Sequence, residues 1–312
     1  MKRNTSGARR PRGSGLRLAS AFAIATFVGV LGTSFTAHAQ SSIGEPLASG
    51  DQLLFFFDTR SPRVSFVNVS NPANEPVTIE ILIPSAGLRE SVQLDALGNQ
   101  VIDPTVLAPD QRGLLVLTPI VDSEDHTPVV PPEPILGSYT IANLLLGAAF
   151  GGNALGRRAV EGGALATPGS IVDGATVRYQ TVSPAALAIP VYFDPQTVGP
   201  PEQDGNRLRL AAFGDEYDGG EYDLVPLPGS VQAQFFDNGG TEVALRTAPL
   251  ANGLLDIDLE SLAGTELTSS GKVFLTFLPD GTTGSFLGLF SQSLGTFGAG
   301  GVLPEVALSS GS

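Results

Sequence analysis

A period-two alternation of apolar residues is the feature that most restricts the fold, because it recurs along the chain while helical periodicity is nearly absent. The segment 77–83 places an apolar residue at every second position, and the segments 231–235 and 273–277 repeat this pattern. Turn sequences such as Asn71-Pro72 and Asp237-Asn238-Gly239-Gly240 separate these runs. Short strands with turn signals between them are typical of antiparallel sandwiches and barrels. We therefore predict an all-β fold.

The alternating runs fall into two groups, which predicts two β-sandwich domains in tandem. We expect the first domain over residues 40–195, from the apolar run at 53–57 to the run at 188–193. The second domain covers 196–312 and begins with a half-exposed strand, in which Arg207 and Arg209 alternate with Leu208 and Leu210. A linker rich in proline, glycine and acidic residues lies between them at 194–206. Similar strand and turn sequences occur in both halves, but they are too weak to establish a repeat.

One segment of the first half departs from the alternation. Residues 135–160 are small, apolar and glycine-rich, and they follow the proline-rich stretch 128–134. We interpret the region at about 120–165 as an insertion that covers an open end or edge of the first sandwich, with a short helix at 141–150. An alternative is a docking surface for a partner or for a second copy of the chain.

The first 39 residues have the layout of a bacterial secretory signal. A basic stretch that ends at Arg17 precedes an uncharged apolar run, and Ala37-His38-Ala39 matches the small-x-small site of signal peptidase. We expect cleavage between Ala39 and Gln40. Two alternatives are an uncleaved membrane anchor and, from the pair Arg9-Arg10, export by the twin-arginine route. The expected location is the periplasm, the cell surface or the extracellular medium, with no membrane span after cleavage.

Loss of this leader would leave a strongly acidic protein. Six of the 17 basic groups and no carboxylate lie in residues 1–39, so eleven basic groups would face 31 acidic ones, for a formal charge of −20. Such a surface repels phosphates, which excludes nucleic acid as a partner. The chain has no cysteine. We therefore expect the exported protein to be held together by its core alone.

Three short motifs of the first half resemble a known class of module. The stretches Phe66-Val67-Asn68-Val69-Ser70-Asn71-Pro72, Glu75-Pro76-Val77-Thr78-Ile79 and Leu107-Ala108-Pro109-Asp110-Gln111 are similar to the Ig-like β-sandwich modules of secreted and surface proteins of bacteria, including uncharacterised secreted proteins. Asp110 stands where such modules usually carry glycine. The resemblance implies tandem Ig-like antiparallel sandwiches and an exported location, and it implies no activity.

A run of acidic residues is the candidate metal site. Asp215, Glu216, Asp218, Glu221 and Asp223 place five carboxylates in nine residues around Gly219-Gly220. Calcium prefers six to eight oxygen ligands on a flexible backbone, so this loop is a candidate calcium site. The spacing differs from that of an EF-hand, and the alternative is a solvated acidic hairpin. We expect no other cofactor.

Residues suited to catalysis are scarce. His126 is the one histidine after residue 39, and it lies in an acidic loop that we interpret as solvated. Asp256, Asp258 and Glu260 resemble the catalytic strand of chitinase-type glycosidases, although one extra residue after Gly253 changes their spacing. The alternative is a strand whose apolar side chains lie in the core and whose acids lie in water. We assign no catalytic residue and expect that the protein is not an enzyme.

The sequence thus indicates an exported acidic protein with a structural, adhesive or binding role. Its expected partners are proteins, glycans or a second copy of the chain. The alternatives are a carbohydrate-active enzyme that uses paired carboxylates and a calcium-dependent binding module. The chain has no tryptophan and five tyrosines, which disfavours stacking platforms for sugars.

Overall fold

Antiparallel strands make up most of the protein. The computed structural model describes residues 48–145, 147–184, 186–192, 205–218, 220–264, 267, 270–281, 284–294, 297–303 and 305–306. The signal-cleavage residues Ala37, Ala39 and Gln40 lie outside these ranges. The described residues form an all-β fold of several antiparallel sheets, which confirms the predicted class. They contain no helix with the length and hydropathy that crossing a membrane requires.

Four five-stranded sheets and one small sheet contain these strands. Sheet 1 consists of β1 (Ala48–Gly50), β3 (Arg63–Ser70), β6 (Asn99–Ile102), β8 (Ile135–Asn143) and β9 (Ala148–Asn153). Sheet 2 consists of β2 (Gln52–Asp58), β4 (Val77–Ile83), β5 (Leu88–Leu94), β7 (Arg112–Ile120) and β10 (Leu155–Arg157). The small sheet follows, with β11 (Ala159–Glu161), β12 (Ala164–Leu165) and β13 (Val177–Tyr179).

The second half of the chain forms the other two large sheets. Sheet 3 consists of β15 (Asn206–Asp218), β16 (Glu221–Pro226), β19 (Leu254–Asp258), β21 (Ser285–Leu294) and β22 (Phe297–Val302). Sheet 4 consists of β14 (Ala186–Tyr192), β17 (Gly229–Asp237), β18 (Glu242–Pro249), β20 (Gly271–Pro279) and β23 (Glu305–Val306). The helices are short: a 3-10 turn at Pro84–Ala86, α1 (Pro104–Leu107) and α2 (Leu259–Ala263).

The same strand order occurs in both halves. Sheet 2 has the order β10-β2-β7-β4-β5, and sheet 4 has the order β23-β14-β20-β17-β18. In sheet 1, β9 pairs with β8, β8 with β3 and β3 with β6; in sheet 3, β22 pairs with β21, β21 with β15 and β15 with β19. A short helix follows β6 and β19, and Asp103 and Asp258 cap these helices with their carboxylates. The structure therefore contains a duplicated topology, which the sequence only suggested.

The glycine-rich segment at 135–160 contains the strands β8 and β9 of the duplicated topology. The helix predicted at 141–150 is wrong, because β8 and β9 form a hairpin there and β8 pairs with β3 along its length. These strands correspond to β21 and β22 of the second half, so they are part of the repeated unit and not an insertion. Close packing against β2 explains why glycine occupies position 137. A Cβ at this position would lie 2.7 Å from the side chains of Leu53 and Phe55.

The strand expected to close the first sandwich belongs to the second half. β14 pairs with β20 and β23 of sheet 4, just as β2 pairs with β7 and β10. The expectation for this strand is wrong, because an apolar run indicates a buried strand without indicating its partner. Most of the linker predicted at 194–206 lies outside the described residues.

Sheet 2 packs between sheets 1 and 3, sheet 4 packs on the other face of sheet 3, and β9 of sheet 1 also contacts β22 of sheet 3. Alternate residues of β2 face opposite ways: Phe55 contacts Tyr139 of sheet 1, while Gln52 and Asp58 interact with residues of sheet 3. All seven residues of β2 are consequently buried. Side chains of β15 also divide between two cores, with Ala211 and Phe213 in the first core and Leu208, Leu210 and Ala212 in the second. The half-exposed strand predicted at Arg207 is therefore wrong, because sheets cover both of its faces.

The turn at Asp110 has a left-handed backbone conformation. Asp110 adopts a φ of 57°, in the left-handed region that glycine enters most easily. Aspartate tolerates this region better than most residues. The turn is also held by Thr59, whose hydroxyl donates to the carbonyl of Ala108.

Burial of sheet 2 on both faces leads to a prediction for adjacent leucines. Leu53→Ala and Leu54→Ala should each lower the free energy of unfolding by about 2–5 kcal/mol, because neither side chain has a solvent-facing alternative. On the outward face of sheet 4, Gln232→Ala should change it by less than about 0.5 kcal/mol. Urea denaturation measures all three. A small effect for one of the two leucines would contradict burial on both faces.

Candidate functional site

The contact between sheets 2 and 3 gathers charged residues at both of its ends. Arg207, Arg209, Ala211, Phe213 and Asp215 occupy alternate positions of β15, on the face that packs against sheet 2. Ala211 and Phe213 belong to the first core, whereas the ion pairs of Arg209 and Asp215 reach residues of the first half. The interface therefore has an apolar centre and a cluster of charges at each end.

At one end lies a group that we call the arginine cluster: Asp58, Arg60, Arg63, Arg112, Arg207, Arg209 and Asp256. Asp256 on β19 is at its centre. Arg207 Nε donates to Asp256 Oδ1 over 2.5 Å, and Arg60 Nη2 donates to Asp256 Oδ2 over 3.0 Å. Arg112 Nη1 also donates to Asp256 Oδ2. Four arginines, including Arg209 at 3.9 Å, thus share one carboxylate that is 5% exposed.

Asp58 is the second carboxylate of the arginine cluster. It is fully buried, and Arg60 contacts both of its oxygens, with Nε 2.9 Å from Oδ1 and Nη2 2.6 Å from Oδ2. Arg63 and Arg209 lie 3.8 Å from Asp58 Oδ2. Since Asp58 belongs to β2 and Arg209 to β15, these contacts join the two halves of the chain.

The electrostatic environment keeps Asp256 ionised. Burial by itself would raise the pKa of this carboxyl, but the charges of Arg209, Arg207 and Arg112 and the hydrogen bond from Arg207 lower the pKa to about 2. A carboxyl with this pKa holds no proton to donate near neutral pH. Asp256 therefore acts as a structural counterion for the arginines.

At the other end of the interface, Arg157 of β10 is completely buried. It donates to both oxygens of Asp215, from Nη1 over 2.8 Å and from Nη2 over 2.5 Å. Its other partners are Gln52 Oε1, the hydroxyl of Tyr222 and the carbonyl of Gln180. Burial would lower the pKa of Arg157, but the hydrogen bond and charge of Asp215 raise it above its usual value. This guanidinium is fully committed to protein partners.

A buried glutamate connects the edge of sheet 2 to His126. Glu80 is fully buried, and its oxygens contact Arg89 Nη1 at 2.7 Å and His126 Nδ1 at 2.8 Å. Burial raises the pKa of Glu80, although Arg89 and His126 act in the opposite direction. The interpretation of His126 as a solvated loop residue is therefore wrong, because its ring is bound to Glu80 and is 28% exposed.

A cleft of about 660 Å³ lies between the arginine cluster and Arg89, where sheets 2 and 3 separate. This volume is in the range of small-molecule sites. Its apolar lining comes from both halves of the chain: Leu82, Pro84, Leu88 and Leu114 from the first, and Ala211, Ala212, Phe213, Leu224, Pro226, Ala251 and Leu254 from the second. The charged residues of the lining are Arg89, Arg112 and Asp223. The cleft is thus a mainly apolar space with charged groups in its wall.

The five acidic residues of the candidate calcium site do not share one face. In the β15–β16 hairpin, Glu216 pairs with Asp223 and Asp218 with Glu221, and all four are exposed. Asp215 lies on the opposite face, where Arg157 binds it. Among the described residues, no group of three or more histidine, aspartate or glutamate side chains is arranged to hold a metal ion. A calcium site that includes Asp215 is therefore wrong for this geometry.

The three carboxylates whose sequence resembles a glycosidase strand lie in different environments. Asp256 lies in the arginine cluster, and Asp258 accepts from the backbone N–H and the hydroxyl of Ser261 at the start of α2. Glu260 is within that helix. The expectation that all acids of this strand lie in water is wrong for Asp256. The arginines were the residues that sequence reasoning missed; the alternation of Arg207 and Arg209 in an otherwise apolar strand was the available signal.

The lowered pKa of Asp256 predicts a loss of stability in acid. Near neutral pH, Asp256→Asn should lower the free energy of unfolding by roughly 3 kcal/mol, because it removes the carboxylate that the largely buried Arg207 and Arg209 share. About 2 kcal/mol of the wild-type stability depends on this ionisation, is present above pH about 4 and is lost as the pH falls to about 2. Urea denaturation at a series of pH values measures both effects.

The matched control for this variant is Asp258→Asn on the same strand. Asparagine caps helices as well as aspartate does, so this change should cost less than about 0.5 kcal/mol. Equal pH dependence of stability in Asp256→Asn and in the wild type would contradict the role assigned to Asp256.

The pairing of Asp215 with Arg157 predicts a stability effect that does not depend on calcium. Asp215→Asn should lower the free energy of unfolding by roughly 3 kcal/mol in calcium and in EDTA alike, because it removes the partner of a buried guanidinium. Asp218→Asn, on the exposed face of the hairpin, should have almost no effect. A calcium ligand would instead show its effect only when calcium is present, and that result would overturn the assignment.

A scan against protein-family models, a search of curated proteins and a search of solved structures each find no match. The chemistry of the cleft and of the arginine cluster therefore indicates what they can bind.

Proposed function

We propose that the chain is an exported binding protein and not an enzyme, and that the cleft between sheets 2 and 3 holds a small organic ligand with an apolar body. The observation that carries this proposal is the cleft itself, with its volume of about 660 Å³ and its mainly apolar lining. Ligand sites of proteins are commonly concave, largely apolar and preformed. Here the walls belong to two sheets that ion pairs hold together on either side.

The environments of Asp256 and Asp258 support an enzymatic function less well than a binding function. Paired-carboxylate hydrolysis of glycosides needs one carboxyl that is protonated near neutral pH and a second one nearby. Asp256 is ionised and surrounded by arginines, while Asp258 caps α2. A binding role makes no such demand on these residues.

The proposed location follows from the leader. A basic stretch, an apolar run and the Ala37-His38-Ala39 sequence favour export. The mature protein would then carry a formal charge of −20 and no cysteine. We propose that it acts in the periplasm, at the cell surface or in the medium.

We also propose that each half is an Ig-like module with exchanged terminal strands. In Ig-like modules, strand F lies between C and G, and strand B lies between A and E. The order β2-β7-β4-β5 follows G-F-C-C′, and the order β8-β3-β6 follows A-B-E. β2, the first strand of sheet 2 in chain order, then takes the place of G, and β8 takes that of A. The second half has the same arrangement, which supports a tandem pair.

A change that fills the cleft tests the proposed function. Ala251 is exposed and lines the cleft, so Ala251→Trp should occupy part of the space without disturbing the core. The neutral dye Nile red should bind to the full chain with increased fluorescence, and the variant should weaken this binding by about tenfold, or about 1.4 kcal/mol. A fluorescence titration measures the affinity.

The control is Ala96→Trp, which places the same side chain on an exposed turn away from the cleft. It should leave dye binding unchanged. If Ala251→Trp and Ala96→Trp bind the dye as the wild type does, the cleft is not the binding site. If the wild type does not bind the dye, the proposal for an apolar ligand fails.

A further inference from the structure

Arg112 has donors that the described residues do not use. A guanidinium carries five N–H donors. Among the described residues, the carboxylate of Asp256 is the one acceptor that Arg112 contacts, through Nη1. The side chain of Arg112 is 41% exposed, the largest value in the arginine cluster, and the residue also lines the cleft. Most of its donors are therefore available to a ligand.

The surroundings of Arg112 favour an anion. One carboxylate, that of Asp256, is shared by four guanidiniums of the arginine cluster, and Arg112 is the most exposed of the four. A guanidinium binds a carboxylate through parallel, charge-assisted hydrogen bonds, which are stronger than neutral ones. Asp256 also fixes the position of Arg112, so little side-chain freedom would be lost when an anion binds.

The other charged groups of the cleft lie at its opposite end. Along sheet 2, Leu82 is opposite both Arg89 and Val116, and Val116 lies four residues from Arg112, a distance of roughly 13 Å along the strand. Arg89 is occupied by Glu80 and by the carbonyl of Tyr222. Asp223 pairs with Glu216 of β15, whereas Asp256, the partner of Arg112, pairs with Arg209. These two pairs lie seven residues apart along β15, so Asp223 is not near Arg112.

The cleft therefore has an anion-binding end, an apolar middle and an end whose arginine is already occupied. We propose that it binds an amphipathic organic anion, with the carboxylate of the ligand on Arg112 and its apolar chain along Leu114, Phe213 and Leu254. This inference rests on the proposed function, because the same cleft holds the ligand, and it adds the charge of that ligand. It also explains an unusual placement of positive charge in an acidic protein.

Two ligands that differ only in their head group test this inference. Decanoate and decanol have the same alkyl chain, and near neutral pH the first carries a carboxylate and the second a hydroxyl. Decanoate should bind to the full chain about tenfold more tightly than decanol, because charged hydrogen bonds stabilise more than neutral ones. Isothermal titration calorimetry measures both affinities. High salt should reduce the preference for decanoate and leave decanol binding undiminished.

Arg112→Gln should remove the preference for decanoate while decanol binds as before. The control Arg178→Gln, at an exposed position of β13, should retain the preference. Arg112→Lys keeps the charge and should retain most of it. Circular dichroism melting of each variant establishes that it is folded, and the salt series on the wild type tests the proposal even if Arg112→Gln does not fold.

The outcomes separate the two proposals. Equal binding of decanoate and decanol would overturn the anion site and leave the proposed function standing. A preference that survives Arg112→Gln would overturn the role of Arg112. If neither ligand binds and Nile red does not bind either, the proposed function itself fails.

Discussion

The packing of sheet 2 on sheet 3 is the constraint on which the rest of the structure depends. β2 and β15 carry apolar residues on both faces, so each must be covered twice, and neither half of the chain can supply both covers alone. Ion pairs at the two ends of the interface, around Asp256 and around Arg157, then set how the sheets align. Buried ion pairs contribute modestly to net stability, but the loss of one partner is costly. We therefore expect the two halves to unfold together.

The two halves of the duplicated topology contact each other head to tail. Sheet 3 is the counterpart of sheet 1, so the first half uses its sheet 2 to contact the sheet 1 equivalent of the second half. Such head-to-tail contacts can in principle continue along a stack. The outward positions of sheet 4, the counterpart of sheet 2, are mixed: Gln232 and Gln234 are polar, whereas Leu245 and Leu278 are exposed apolar residues.

The distribution of charge links the fold to the proposed ligand. Of the eleven basic residues after position 39, six lie in the arginine cluster or at the other end of the cleft. The acidic hairpin around Glu216 and Asp218 is exposed instead. Net charge keeps such a protein soluble and repels polyanions. A local group of arginines beside an apolar cleft can nevertheless select a small anion, since a short-range contact outweighs distant screened charges.

The sequence by itself determined the strands, because alternation has a period of two residues and is a local property. The segment 77–83 coincides with β4, and the runs at 231–235 and 273–277 lie in β17 and β20. The same periodicity places Asp215 on the opposite face of the strand from Glu216 and Asp218. The sequence therefore also indicated that these carboxylates do not share one face. Only the tertiary structure decided the partner of β14, the burial of Arg209 and the meeting of Arg112 with Asp256. These outcomes depend on contacts between residues far apart in the chain, and a local pattern carries no information about which distant surface will cover it.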